Sequence, residues 1–142
     1  MNTMAPVRPS ELQARRARLS PGPAAAAEAR GQVRGAIRAW HIPVDPDIAV
    51  LLTSDLVTDA IRREAGEAIT LTIRCAAGQL RVDVHGTSCA PRAAAGPVAG
   101  AQVPPGLALV AALSAAWGGY RTPAGQAVYF ALPFRPGRQA PR

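Results

Sequence analysis

The sequence predicts an α+β two-layer sandwich, in which three helices cover one face of a mixed, mostly antiparallel sheet. Two observations support this prediction. Apolar residues recur at helical spacing in three segments, and apolar and polar residues alternate in two pairs of short segments joined by turns. The chain has 142 residues, 49% of them hydrophobic, which is enough for one domain with its own core.

The first predicted helix spans 24–40 and follows a Pro-Gly-Pro break at 21–23. Its apolar positions lie three or four residues apart, which is the spacing of one helix face. These positions are Ala29, Val33, Ile37 and Trp40. The residues before the break, 12–19, fit either a short edge strand or a basic helix, and both interpretations stay open.

The second predicted helix has a clear start. Asp45 can cap the first turn, Pro46 suits the first helical position, and Asp47 complements the positive end of the helix dipole. The apolar pattern continues to about Glu64, and Gly66 is expected to end the helix.

Two hairpins are predicted from alternating residues on either side of short turns. The first covers 69–84 and turns at Ala77-Gly78, and the second covers 120–132 and turns at 123–125. Each strand of the first hairpin carries Ile, Leu or Val at every other position, so one of its faces should be buried.

The segment between the hairpins contains an irregular stretch and a third helix. Residues 86–105 are rich in Ala, Gly and Pro, which fits either a lid over a ligand or a disordered loop. The helix is predicted at 106–117, and Gly118-Gly119 is expected to stop it.

Charge suggests how the chain is divided. The net charge is +7, every basic residue except histidine is an arginine, and arginines are concentrated at the two ends. We therefore expect a basic flexible tail at 1–18, a domain at 19–134 and a second tail at 135–142. No signal-like or membrane-spanning apolar run is present, which predicts a cytoplasmic protein. Two cysteines are too few for a zinc site.

Four short segments carry the resemblance of this chain to a known family. In the second helix, Asp55 and Asp59 lie four residues apart, so their side chains share one face. The strand predicted at Leu80–Val84 is followed closely by Gly86 and Ser88.

The other two segments are glycines at the starts of elements. Gly106 and Leu107 open the third helix, and Gly125 precedes the last strand. Together with the order of elements, the four segments resemble the ATP-binding domain of gyrase, Hsp90, histidine kinases and anti-sigma-factor serine kinases (the Bergerat-type fold). The short bacterial anti-sigma regulators are the most similar branch, and the resemblance covers about residues 19–132.

This resemblance implies ATP and Mg²⁺ as cofactors. It gives Asp55 a base-like catalytic role and makes Asp59 the metal ligand, since carboxylate oxygen suits Mg²⁺. The remaining nucleotide-binding positions that it implies are Gly86, Ser88, Gly106, Leu107 and Gly125.

Several of these positions depart from the family pattern. Gly86 stands where the family has an adenine-binding Asp, and Ala127 stands where it has a Thr hydroxyl. Pro104 and Pro105 replace residues whose backbone N–H groups would contact phosphate, and proline has no N–H to donate. Asp55 is one methylene shorter than the family Glu. We therefore expect ATP binding to be weak or lost.

The resemblance predicts a regulatory protein of the anti-sigma serine/threonine kinase type. Its partners would be a sigma factor, an anti-sigma-antagonist protein or both, and homodimerisation is compatible with the family. The alternative is a non-catalytic protein-interaction module of the same fold. Nucleic-acid binding through the Arg-rich ends is a remote third hypothesis, because no stacking motif or helix-turn-helix accompanies the charge. No membrane partner is expected.

Overall fold

The computed structural model describes residues 12–64, 68–86 and 107–135, and these form five strands and three helices. In chain order the elements are β1 (Gln13–Leu19), α1 (Ala24–Ala39), α2 (Pro46–Glu64), β2 (Ile69–Ala76), β3 (Gln79–Gly86), α3 (Ala108–Leu113), β4 (Ala116–Thr122) and β5 (Gly125–Pro133). The predicted α+β class is confirmed.

The strands form one open sheet in the order β1-β2-β3-β5-β4. All four pairings are antiparallel, so the prediction of a mixed sheet is wrong for the described strands. The reason lies in the connections. Two tight hairpins supply two antiparallel pairs, and β5 and β1 join the first hairpin from opposite sides, each antiparallel to its neighbour.

The core lies between the sheet and the helices. Every second residue of β2, β3 and β5 is buried on the helix side, and α1 and α2 contact these strands and each other. The largest fully buried side chain is Phe130 of β5, which is cross-strand neighbour to Val82 and Trp117. The other face of the sheet carries no helix among the described elements, and its residues are mostly polar or small.

The predicted start of α2 and the predicted first turn are both confirmed. The Asp45 side chain accepts a hydrogen bond from the Asp47 N–H at 2.9 Å, and Pro46 is the first helical residue. Ala77 and Gly78 both have positive φ, as a two-residue hairpin turn of this twist requires.

The third helix is shorter than predicted. It ends at Leu113, and Trp117 lies in β4, not on a helix face. Gly118 and Gly119 therefore do not stop a helix but lie within a strand paired with β5. The alanines and leucines of 108–117 favour a helix locally, and pairing with the exposed edge of β5 overrides that preference.

Residues 13–18 belong to β1, so the strand interpretation holds for them and the boundary of the predicted tail lies too late. Arg15 faces the helices, lies 5.6 Å from the Trp40 ring, and donates a hydrogen bond to the Gln32 carbonyl. A Cβ at Gly35 would come within 3.1 Å of the Arg15 guanidinium, so this glycine leaves room for that side chain.

Some predictions concern residues outside the described ranges. They are the start of the N-terminal tail, the end of α2 at Gly66, the proposed lid at 87–105, the residues Ser88 and Gly106, and the C-terminal tail after Arg135. Phe134 donates its N–H to the Gly78 carbonyl at 2.8 Å, so the chain stays attached to the sheet up to that point.

Candidate functional site

The structure brings three of the sequence-predicted positions together. Asp59 of α2, Gly86 at the end of β3 and Ala127 of β5 line one small pocket on the helix side of the sheet. Arg63 and Gln126 line it as well, and they are joined by a hydrogen bond of 3.5 Å. Its free volume is about 20 Å³, room for about one water molecule.

The pocket offers little to an adenine base. Gly86 has no side-chain acceptor, and Ala127 is the cross-strand partner of His85, so its side chain lies on the face opposite Val84 and Val128 and not in the pocket. The remaining lining residues are mainly apolar: Leu56, Ala60, Val84 and Val128. Asp59 is buried, with 9% of its surface exposed. Among the described residues, the lining therefore offers few hydrogen-bonding groups to a nucleotide. The pocket is also too small, since small-molecule sites usually hold roughly 300–1,000 Å³.

Asp55 lies one turn before Asp59 and faces α3. Its carboxylate accepts hydrogen bonds from the backbone N–H groups of Val110 and Leu109, in the first turn of that helix. The second carboxylate oxygen, Oδ2, is buried and has no hydrogen-bond partner in the part of the chain that the structure describes. These two N–H groups lie just after Gly106 and Leu107, the positions predicted to contact phosphate. They already donate hydrogen bonds to a carboxylate of the protein itself.

Burial raises the pKa of Asp55 above its ordinary value, and the charge of Asp59 acts in the same direction. The two backbone hydrogen bonds oppose this shift without cancelling it. The folded state therefore takes up a proton at a higher pH than the unfolded state does. As a result, the Asp55 carboxylate destabilises the fold at neutral pH, and this penalty is relieved as the pH falls through the raised pKa towards 3.8.

We expect the Asp55→Asn variant to lack this pH dependence. Its free energy of unfolding, relative to that of the native chain, should be highest near neutral pH and should decline as the pH is lowered towards 4. Urea unfolding at a series of pH values measures the difference. Asp47→Asn, an exposed change in the same helix, is the control. A difference between Asp55→Asn and the native chain that stays constant with pH would contradict the raised pKa.

The other predicted site positions have structural roles in the described fold. Leu107 is fully buried and precedes α3, and Gly125 donates its N–H to the Thr122 hydroxyl at 3.0 Å in the second hairpin turn. No group of three or more His, Cys, Asp or Glu side chains suited to a metal ion occurs within the described ranges. Asp59, the residue predicted to bind Mg²⁺, is therefore not part of a group of three or more metal-ligating side chains within the described ranges.

A second polar arrangement lies on the opposite face of the sheet and was not predicted from the sequence. Asp83 is completely buried on this face, yet it carries two hydrogen bonds from the Arg81 guanidinium, at 2.8 and 2.9 Å. The Tyr120 hydroxyl donates a third. The alternation of β3 contained the signal, because Arg81, Asp83 and His85 all point away from Leu80, Val82 and Val84.

This cluster is held tightly by rings and charges. The Arg81 guanidinium lies 3.9 Å from the centre of the Tyr129 ring and 5.8 Å from that of Tyr120. The hydrogen bond and charge of Asp83 raise the pKa of Arg81, which stays cationic. Burial, together with the hydrogen bond to Asp83, raises the pKa of Tyr120 to about 12, so its hydroxyl remains a donor at neutral pH.

Neither a protein-family model nor a curated protein matches this chain. The two faces of the sheet, with the polar residues described above, are therefore the basis for a functional proposal. None of the helices in the described ranges is long and apolar enough to cross a membrane.

Proposed function

We propose that this chain is a regulatory protein with the ATP-binding fold of the anti-sigma serine kinase type, that it has lost productive ATP binding, and that it acts by binding another protein. One observation carries the proposal. Helix α2 and strands β3 and β5, to which the resemblance assigns nucleotide contacts, enclose a pocket lined by Asp59 and Gly86 that is only about 20 Å³ in volume.

The order of elements supports the fold part of the proposal. After β1, two helices and a hairpin are followed by a third helix and a second hairpin, and this order of helices and hairpins is the one on which the resemblance is based. The helix carrying Asp55 and Asp59 contacts β3 and β5, so the residues assigned to metal and adenine meet at one place.

The chemistry of that place supports the loss of ATP binding. A site that recognises a base by hydrogen bonds loses most of its discrimination when the partner group is missing, and Gly86 removes the acceptor that the resemblance implies there. On the phosphate side, Asp55 accepts from the N–H groups of Leu109 and Val110 and would place negative charge beside a phosphate. Pro104 and Pro105 have no N–H to offer.

The geometry therefore favours the non-catalytic form of the hypothesis over the active kinase. Phosphoryl transfer requires bound nucleotide, metal and a positioned base, and the resemblance assigns the last two tasks to Asp59 and Asp55 alone among the described residues. The partner class stays as proposed from the resemblance: a sigma factor, an anti-sigma-antagonist protein or both. Binding of such a partner is expected to be equally strong with and without ATP.

Thermal unfolding with and without Mg-ATP tests the proposal. A ligand at about 100 times its Kd stabilises a protein by about 2.7 kcal/mol, which raises Tm by several degrees for a domain of this size. We expect no rise for the native chain in millimolar Mg-ATP. A rise of several degrees would overturn the proposal.

A restored variant serves as the positive control. Gly86→Asp combined with Pro104→Gly returns an adenine acceptor and one backbone donor. If the site was lost by substitution of a working one, this variant should show a Tm increase with Mg-ATP that the native chain lacks. Circular dichroism without nucleotide first establishes that the variant folds.

A further inference from the structure

The sheet face opposite the helices contains a broad basic pocket. It has a volume of about 710 Å³, within the usual range of roughly 300–1,000 Å³ for ligand sites. Its lining comes from β1, β2, β3 and the turn of the second hairpin: Arg16, Arg18, Thr70, His85, Thr122, Pro123 and Ala124. Arg18, Thr70 and His85 are direct cross-strand neighbours, so they form one row across three strands.

The positive charge in this region is not neutralised by the protein among the described residues. Arg16 and Arg18 point outward from the edge strand and are exposed, and Arg74 lies on the same face of β2. The acidic group nearest in the strand register, Asp83, is already bonded to Arg81 and Tyr120. Three arginines therefore face solvent on one side of the sheet.

Two buried polar atoms on this face lack partners among the described residues. They are Nε2 of His85 and Oγ1 of Thr72, whose residue is only 7% exposed. Thr72 lies in the neighbouring row, between Arg16 and Asp83 in the strand register. Buried polar atoms without partners are uncommon in proteins, and His85 is the residue of these two that lines the pocket, where a ligand carrying oxygen atoms could bond to its imidazole.

The electrostatics of His85 reflect the same excess of positive charge. Burial lowers its pKa, and the charges of Arg16, Arg74 and Arg81 lower it further. Asp83 acts in the opposite direction, and the Tyr120 ring packs edge-on at 6.1 Å. A carboxylate placed beside this imidazole would oppose the arginines and raise the pKa.

We propose that the pocket around Arg16, Arg18 and His85 binds an acidic, extended segment of a partner protein through its carboxylates. Charge complementarity supports this occupant. The segment that follows β3 is not such an occupant, because the sequence from 84 to 142 contains no Asp or Glu. A second copy of the chain carries the same net charge of +7 and would be repelled.

The aromatic rings of this face argue for a peptide over a nucleic acid. Single-stranded nucleic acids bind by stacking bases on open aromatic rings. Here the Tyr129 ring is covered by the Arg81 guanidinium at 3.9 Å, and Tyr120 packs against both His85 and Tyr129. Cationic groups remain accessible while the described rings of this face are engaged, which suits carboxylates better than bases.

This inference does not rest on the loss of ATP binding. The basic pocket and the small pocket lined by Asp59 lie on opposite faces of the sheet, and each is tested with a different ligand. Peptide binding together with ATP binding would overturn the proposed function and leave this inference standing. If neither the peptide nor ATP binds, this inference is overturned and the proposed loss of ATP binding stands.

The test is a fluorescence-anisotropy titration of the full chain with fluorescein-labelled hexaglutamate at low salt. We expect saturable binding that weakens as salt is added. Arg16→Gln with Arg18→Gln should weaken it roughly tenfold, because two exposed ion pairs with the peptide carboxylates are lost. The matched control is Arg38→Gln with Arg62→Gln, which changes the net charge equally at exposed positions on the helices.

Two further measurements sharpen the outcome. The ring protons of His85, followed by nuclear magnetic resonance, should report a higher pKa for this residue when hexaglutamate is bound. Labelled hexathymidylate provides the competing ligand. The proposal is overturned if hexaglutamate does not bind, if the helix-side control loses as much affinity as the sheet-side variant, or if hexathymidylate binds more tightly through Arg16 and Arg18.

Discussion

Asp83→Asn is expected to lower the free energy of unfolding by about 2–3 kcal/mol. Asp83 is fully buried and accepts hydrogen bonds from Arg81 and Tyr120. Removing its charge leaves the Arg81 guanidinium without a counter-ion beside the Tyr129 ring. Because Arg81 remains one-third exposed, water can solvate it in part, which holds the loss below that of a fully buried pair.

Urea unfolding of Asp83→Asn and of Tyr120→Phe separates the two interactions. The phenylalanine variant removes only the hydroxyl and should cost about 1 kcal/mol. A loss below 0.5 kcal/mol for Asp83→Asn, on the order of an ordinary surface change, would show that the cluster does not form as described.

Phe130→Ala is expected to have the largest effect, about 3–5 kcal/mol. Phe130 is completely buried in the middle of β5, between Val82 and Trp117 across the neighbouring strands. Truncation removes the largest fully buried side chain and leaves a cavity that a sheet held on both sides can collapse around only partly.

Leu113→Ala is the control for this prediction, because Leu113 is 42% exposed at the end of α3. Its loss should stay within about 0.5 kcal/mol. Near-equal losses for the two variants, measured by the same unfolding curves, would contradict the arrangement of β4 and β5 around Phe130.

Much of the fold could be predicted from local chemistry. The start of α2 follows from three adjacent residues, Asp45, Pro46 and Asp47, and the structure contains the expected hydrogen bond. The first hairpin follows from strict alternation and from a turn, Ala77-Gly78, that accepts positive φ. In these segments local preference and tertiary packing favour the same structure.

The wrong predictions concern segments in which local preference and tertiary packing favour different structures. Residues 108–117 have helical composition, but Trp117 and the two glycines after it pair with β5, because pairing buries the tryptophan on the helix side of the sheet. The arginines of β1 suggested a tail, but alternation places Arg15 inside against Trp40 and leaves Arg16 and Arg18 outside. A long side chain with an apolar stem can occupy either face.

The candidate site was partly predictable for a similar reason. A spacing of four residues places Asp55 and Asp59 on one face of the helix. The predicted strand ends place Gly86 and Ala127 near that face. Spacing could not reveal that the Asp55 carboxylate accepts hydrogen bonds from the N–H groups of Leu109 and Val110. That contact joins elements separated by a long connection, and it depends on where α3 begins.

In the proposed function, the small pocket lined by Asp59 and Gly86 does not bind ATP. Isothermal titration calorimetry of the native chain with Mg-ATP tests this proposal most directly. The small volume of the pocket and the missing acceptor at Gly86 predict no saturable heat at millimolar nucleotide. Saturable heat with a Kd in the low micromolar range would contradict the claim.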